Sequence, residues 1–202
     1  MKKGFTLLEI LTVIFLLMVI LGITIITINP YAYFQRARDF KRINDLKALE
    51  IAINTYINAA STPVLAPSGR NIGETNQGIF ISVPFDKEDK RSISVGGFYI
   101  VQASSTNYLK INGNGWLPIN FSSLPYPPLT SLPIDPINSY SRKYFYSYVA
   151  STSQRIFEIN ANLESSIFKS GGGDDYTSTD LGDNPNIFEV GNRKNLMPNS
   201  LY

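Results

Sequence analysis

The chain has 202 residues, enough for one domain with an anchor or for two small domains, and it can bury a core without staples. It contains neither Cys nor His, which excludes a disulfide framework, a thiolate metal site, a Ser-His-Asp arrangement and the commonest zinc ligand. The net charge of +2 is carried by Lys2 and Lys3, so no general nucleic-acid surface is expected. Catalysis through carboxylates stays open, but the chain reads as a non-enzyme.

From Ile10 to Ile28 there are nineteen residues without a charge. A run of about twenty apolar residues spans a bilayer core. No small-residue cleavage pattern follows it; Asn29-Pro30-Tyr31-Ala32-Tyr33-Phe34 comes next. Ordinary signal peptidase is therefore not expected to remove this segment. Thr6, Thr12, Thr24 and Thr27 are tolerable in such a helix, because a hydroxyl can bond back to the preceding turn. Glu9 is the exception. A charge at mid-bilayer costs on the order of 3 kcal/mol, whereas a carboxylate in a first helical turn is favoured by the helix dipole.

The extreme N-terminus reads Lys2-Lys3-Gly4-Phe5-Thr6-Leu7-Leu8-Glu9. This resembles the processing signal of type IV prepilins and type II secretion pseudopilins: a short basic leader, Gly, Phe, then Glu four residues after the Phe. The resemblance covers residues 1 to about 30 closely and the helix to about 59 loosely. It implies that prepilin peptidase cuts between Gly4 and Phe5 and methylates the new Phe5 amine. It implies that Glu9 pairs with the Phe5 ammonium of a neighbouring subunit in a filament. Pairing offsets the cost of a lone buried charge. The implied partners are identical or related pilin subunits, the peptidase, the inner-membrane assembly machinery and the lipid bilayer. The implied location is the cytoplasmic membrane as a single-pass precursor with its N-terminus inside, then an extracellular or periplasmic filament. One rule points the other way. Five basic residues, Arg36, Arg38, Lys41, Arg42 and Lys47, follow the span against two before it, which by the positive-inside rule places the larger part inside.

Helical periodicity continues from 36 to 59, where Phe40, Ile43, Leu46, Leu49, Ile53 and Tyr56 recur at steps of three and four. Asp39, Arg42, Asp45 and Glu50 fall off that stripe, as the polar face of an amphipathic helix would. The basic residues are either a solvated face or contacts for acidic neighbours or lipid headgroups. Phe5 to about Ala59 reads as one helix, roughly 80 Å if continuous. Gly22 and Pro30 mark its soft stretch, since Gly weakens a helix and Pro removes a backbone donor.

Ser61-Thr62-Pro63 ends the helix, and residues 61–97 read as loop with short strands. Phe98–Val101, Tyr144–Val149 and Arg155–Ile159 are strand candidates from their aromatic and β-branched content. The expected fold is α+β: an antiparallel sheet covered by the amphipathic helix. The expected divisions are a leader (1–4), an apolar helix (5–30), an amphipathic helix (31–60) and a β-rich head (61–202). Leu132-Pro133-Ile134-Asp135-Pro136, followed by Tyr144 and Tyr146, resembles a stretch common in pseudopilins and related pilins; its expected role is a fixed turn with tyrosines packed on it.

Asp174, Asp175, Asp180 and Asp183 gather late, after Gly171-Gly172-Gly173. Carboxylates on a flexible loop suit a hard cation such as Ca²⁺, although the spacing is not that of an EF-hand. Major pseudopilins carry a calcium loop in a similar place, from whose pattern this one departs. A solvated acidic loop is the other reading. At the level of function, a filament subunit (pilin or pseudopilin) stands against a membrane-tethered binding module that never polymerises, and against an enzyme with an uncleaved anchor.

Overall fold

The computed structural model describes residues 4–202, apart from the side chains of residues 26–28. Lys2 and Lys3 of the leader and the Thr27 hydroxyl lie outside the described residues. The chain divides into two compact units, Met1–Ala37 and Arg38–Tyr202.

The first unit opens on helix α1, Leu7–Ile28. Thr6 is its N-cap and Glu9 its third residue, and the two close a capping box. Glu9 N donates to Thr6 Oγ1 at 3.3 Å, and Thr6 N donates back to Glu9 Oε2 at 2.8 Å. Two helix donors are thereby satisfied. Thr12 and Thr24 hydroxyls bond back to the carbonyls of Glu9 and Ile20, at 2.9 and 2.8 Å. The stretch Leu7–Ile25 is apolar enough to cross a membrane and is wholly exposed. Helix α1 stops at Asn29, whose φ of 47° is left-handed. Pro30 then opens helix α2, Pro30–Ala59, at the position where a missing N–H costs nothing. Asn29 accepts the N–H of Ala32 on its backbone oxygen at 3.1 Å and on its side chain at 3.4 Å. The chain thus has two consecutive helices where one was expected, and the interruption falls at Asn29. Gly22 lies within α1, in open space.

In the second unit α2 contributes Ile43, Leu46, Leu49, Ala52, Ile53 and Tyr56 to a core. The sheet has six strands: β1 Gly78–Ile81, β2 Ser94–Val95, β3 Phe98–Gln102, β4 Tyr146–Ser151, β5 Ile156–Ala161 and β6 Phe188–Gly191. Their order is β2-β3-β1-β4-β5-β6. The α+β class stands, but the sheet is mixed, because β1 and β3 run parallel. The physical reason is that β2 and β3 form a tight hairpin through Gly96 and Gly97, both at positive φ. Such a turn is easy for glycine, and it returns β3 alongside β1 in the same direction.

The two faces of the sheet are packed differently. Phe80, Tyr146, Tyr148, Phe157, Ile159, Phe188 and Val190 face α2 and the long β3–β4 connection, which adds Trp116, Leu117, Ile119 and Phe121. Ile79, Ile81, Phe98, Ile100 and Val149 face the opposite way, where Met197 and Leu201 of the C-terminal segment cover them.

Candidate functional site

The Leu132–Pro136 stretch holds more than a turn. Asp135 accepts two hydrogen bonds from Arg42, from Nε at 2.6 Å and from Nη2 at 3.0 Å. Arg42 Nη1 also donates to Asp39 at 2.7 Å and to Glu164 at 2.5 Å. Arg38 adds a second guanidinium on Glu164. Arg42 and Asp39 are fully buried. The expectation that Asp39 and Arg42 lie on a polar helix face is therefore corrected. A charge is carried inward only where partners await it, and two of those partners come from segments remote in sequence. The Arg42 guanidinium also lies 4.9 Å from the centre of the Tyr144 ring. Burial raises the Asp39 carboxyl against hydrogen bonds from Ser165, Glu164 and Arg42 that lower it. Phe40, expected on the apolar stripe, is half exposed and meets Phe168 edge-on. Every member of this network has its partners, and it reads as the lock between α2 and the sheet.

At the start of α1, Gly4, Phe5 and Thr6 are exposed. Phe5 and Glu9 sit on either side of the capping residue Thr6. Glu9 Oε2 also accepts from the Thr6 hydroxyl, at 2.9 Å. The carboxylate therefore has partners within its own chain.

The structure separates the four aspartates of the acidic stretch. Asp174 is exposed. Asp175 accepts from the Ser178 hydroxyl at 2.5 Å and from the N–H groups of Ser178, Gly171 and Thr177 at 2.9, 2.9 and 3.0 Å. Those bonds hold its carboxyl down at about 2. Asp180 accepts from the N–H groups of Gly182 and Glu189, at 2.8 and 2.7 Å, while burial raises it. Only Asp183 joins a group of converging carboxylates, and its companions are Glu158 and Glu189.

That group stands at the end of the sheet. Asn160 of β5 pairs with Glu189 of β6, and Glu158 lies two residues before Asn160 on the same face. Oxygens of Glu158, Asp183 and Glu189 lie within 4.8 Å of one another. Glu158 and Glu189 are buried and Asp183 is exposed. Among the described residues no ion pair reaches any of the three. Glu158 accepts from the Leu196 and Met197 N–H groups at 2.5 and 3.0 Å. Burial first, then the charges of Glu158, Asp180 and Asp183, push the Glu189 carboxyl up to about 8. Burial likewise raises Glu158.

No family model, curated protein or solved structure matches this chain.

Sequence reasoning missed Glu158 and Asn160 because β5 alternates apolar and polar residues, as a strand with one wet face does. The C-terminal segment covers that face. Lys194 ties the segment to the loop by donating to the Asp180 carbonyl, and its own carbonyl accepts from Asp183 N at 3.2 Å. The signal in the sequence was Glu189, which stands in the same late acidic run as Asp174, Asp175, Asp180 and Asp183.

Proposed function

We propose that this chain is a type IV pilin-like filament subunit, cut after Gly4 by prepilin peptidase, held in the membrane by α1 and polymerised through it. The observation that carries this reading is a fully exposed apolar helix that begins directly after Gly4-Phe5 and holds one carboxylate, Glu9, in its first turn. An exposed surface of that kind needs lipid or other helices around it. A head with its own core agrees with a structural role. Pilin and pseudopilin are both served by these features. The test is the mature N-terminus. Mass spectrometry of the membrane-extracted protein should find a chain beginning at N-methyl-Phe5, and an intact Met1 in cells carrying the peptidase would refute the reading.

The Thr6–Glu9 capping box favours a second reading. A helix anchor for a tethered binding module gains from a capped N-terminus with no need for a neighbour. Filaments sheared from the cells decide between the two.

A further inference from the structure

Glu158, Asn160 and Glu189 project from one face of β5 and β6, opposite to Phe157, Ile159 and Val190, which pack toward α2. They are 0%, 4% and 1% exposed. Asp183 reaches the same place from the loop before β6. Oxygens that share one calcium ion each stand 2.3–2.6 Å from it, so they lie at most about 5 Å from each other. The three carboxylates here are within 4.8 Å. Carboxylates that close cannot all stay charged unless a cation stands between them.

A second observation is independent of the carboxylates. Asn160 Oδ1 is buried and, among the described residues, has no hydrogen-bond partner. Its amide is aimed into the cluster, with Nδ2 2.7 Å from Glu158 Oε1 and 3.4 Å from Glu189 Oε1. A half-turn of the amide exchanges its oxygen and nitrogen at almost no change in shape. Turned so, Oδ1 would face the carboxylates, an arrangement that is favourable only around a cation. Gly182 adds a cradle. A Cβ there would stand 1.4 Å from Glu189 Oε2, so only glycine leaves this carboxylate its place.

We propose that Glu158, Asp183 and Glu189, with the amide oxygen of Asn160, bind one hard divalent cation of the Ca²⁺ class. All the ligands are oxygens, and some carboxylates can bind through both, which suits the six to eight ligands that Ca²⁺ takes. Thiolate and imidazole ligands, which select other metals, are absent from the chain, which has neither Cys nor His. The ion joins β5 and β6 to the 180–183 loop and, through the Glu158 bonds to Leu196 and Met197, to the C-terminal segment. The site does not rest on the filament reading, and its test involves no filament.

The experiment uses the full chain in detergent, stripped with chelator and titrated with Ca²⁺ in a calorimeter. Tb³⁺ luminescence is the second readout, sensitised by Tyr202, whose hydroxyl donates to the Asn160 carbonyl at 3.0 Å. One ion per chain should bind, and Ca²⁺ should raise the melting temperature by mass action. Glu189→Gln and the exposed Asp183→Asn should each weaken binding by roughly tenfold or more, since charge count sets affinity in oxygen sites. Asp174→Asn should bind as the natural chain does. In chelator, Glu189→Gln should melt no lower than the natural chain, which shows that its loss of binding is not loss of folding. Absence of binding heat and of a melting shift at millimolar Ca²⁺ would overturn the proposal. So would unchanged binding in both Glu189→Gln and Asp183→Asn.

Discussion

Arg42 on α2 holds Asp135 through two parallel hydrogen bonds, at 2.6 and 3.0 Å, and neither side chain reaches solvent. The paired geometry needs the flat fork of a guanidinium. Removing one partner leaves the other charge buried and alone. Asp135→Ala should therefore cost on the order of 3–5 kcal/mol. Arg42→Lys should fail to restore stability, because an ammonium cannot bond Asp135, Asp39 and Glu164 from one plane. Denaturant unfolding of each variant checks this; an Arg42→Lys chain as stable as the natural one would contradict it.

Glu164 makes the same network sensitive to acid. Burial acts to raise its carboxyl, but hydrogen bonds from Arg38 and Arg42 overcome burial and hold it below its ordinary value of 4.5. A carboxyl depressed on folding adds stability above its unfolded value, and that stability is lost as pH falls through the folded value. The unfolding free energy of the natural chain should thus drop as pH is lowered below about 4.5. Glu164→Gln should be less stable at neutral pH and flatter through the acid range. Unfolding curves across pH 3–7 would show the difference, and parallel curves for the two chains would refute the assignment.

The apolar stripe of α2 was legible because burial there follows the ordinary rule of period, and β3, β4 and β5 were legible from their aromatic and β-branched content, although β4 and β5 are buried along nearly their whole length. Their bounds shifted by one or two residues. Strands β1, β2 and β6 were not legible: two of them have four residues and β2 has two, too short for a pattern to repeat. Arg42 and Glu158 misled for one shared reason. Both are charged residues in the polar phase of an amphipathic element, and both are buried by a segment far away in sequence. Position in the pattern says which way a side chain points, but not what covers it. The break at Asn29 was foreshadowed by Pro30, whereas the four aspartates were grouped by nearness along the chain and only Asp183 points toward other carboxylates.

Leu181 holds a left-handed backbone at φ 68° while its side chain is 92% exposed. A leucine in that conformation is strained by roughly 1–2 kcal/mol, and it has almost no burial to set against the strain. Leu181→Asn should raise stability, by up to about 1 kcal/mol, because Asn tolerates this region. Thermal unfolding of the full chain checks it. A lower melting temperature would mean that Leu181 makes contacts its exposure does not reveal.

Glu9 can serve its own helix or a neighbouring subunit, and two substitutions separate these roles. In its own chain Glu9 Oε2 accepts from the N–H and the hydroxyl of Thr6. Glutamine keeps an oxygen at that position and also completes a capping box, but it carries no charge. Thr6→Ala does the reverse: it removes the cap, at about 1 kcal/mol, and leaves the carboxylate. If Glu9 only caps α1, Glu9→Gln should be nearly silent and Thr6→Ala should be the damaging change. If Glu9 pairs with the Phe5 ammonium of a neighbour, Glu9→Gln should leave that ammonium uncompensated in an apolar surrounding. The penalty recurs at every subunit, so even a part of the 3–5 kcal/mol for a fully buried pair would stop growth. Membrane insertion should survive either change, since Glu9→Gln lowers the cost of entering lipid. The expected outcome under the filament reading is a processed, membrane-held Glu9→Gln protein that yields no sheared filaments, beside a Thr6→Ala protein that still yields them. Normal filament yield from cells expressing only Glu9→Gln would end the pairing mechanism and leave Glu9 as the partner of Thr6.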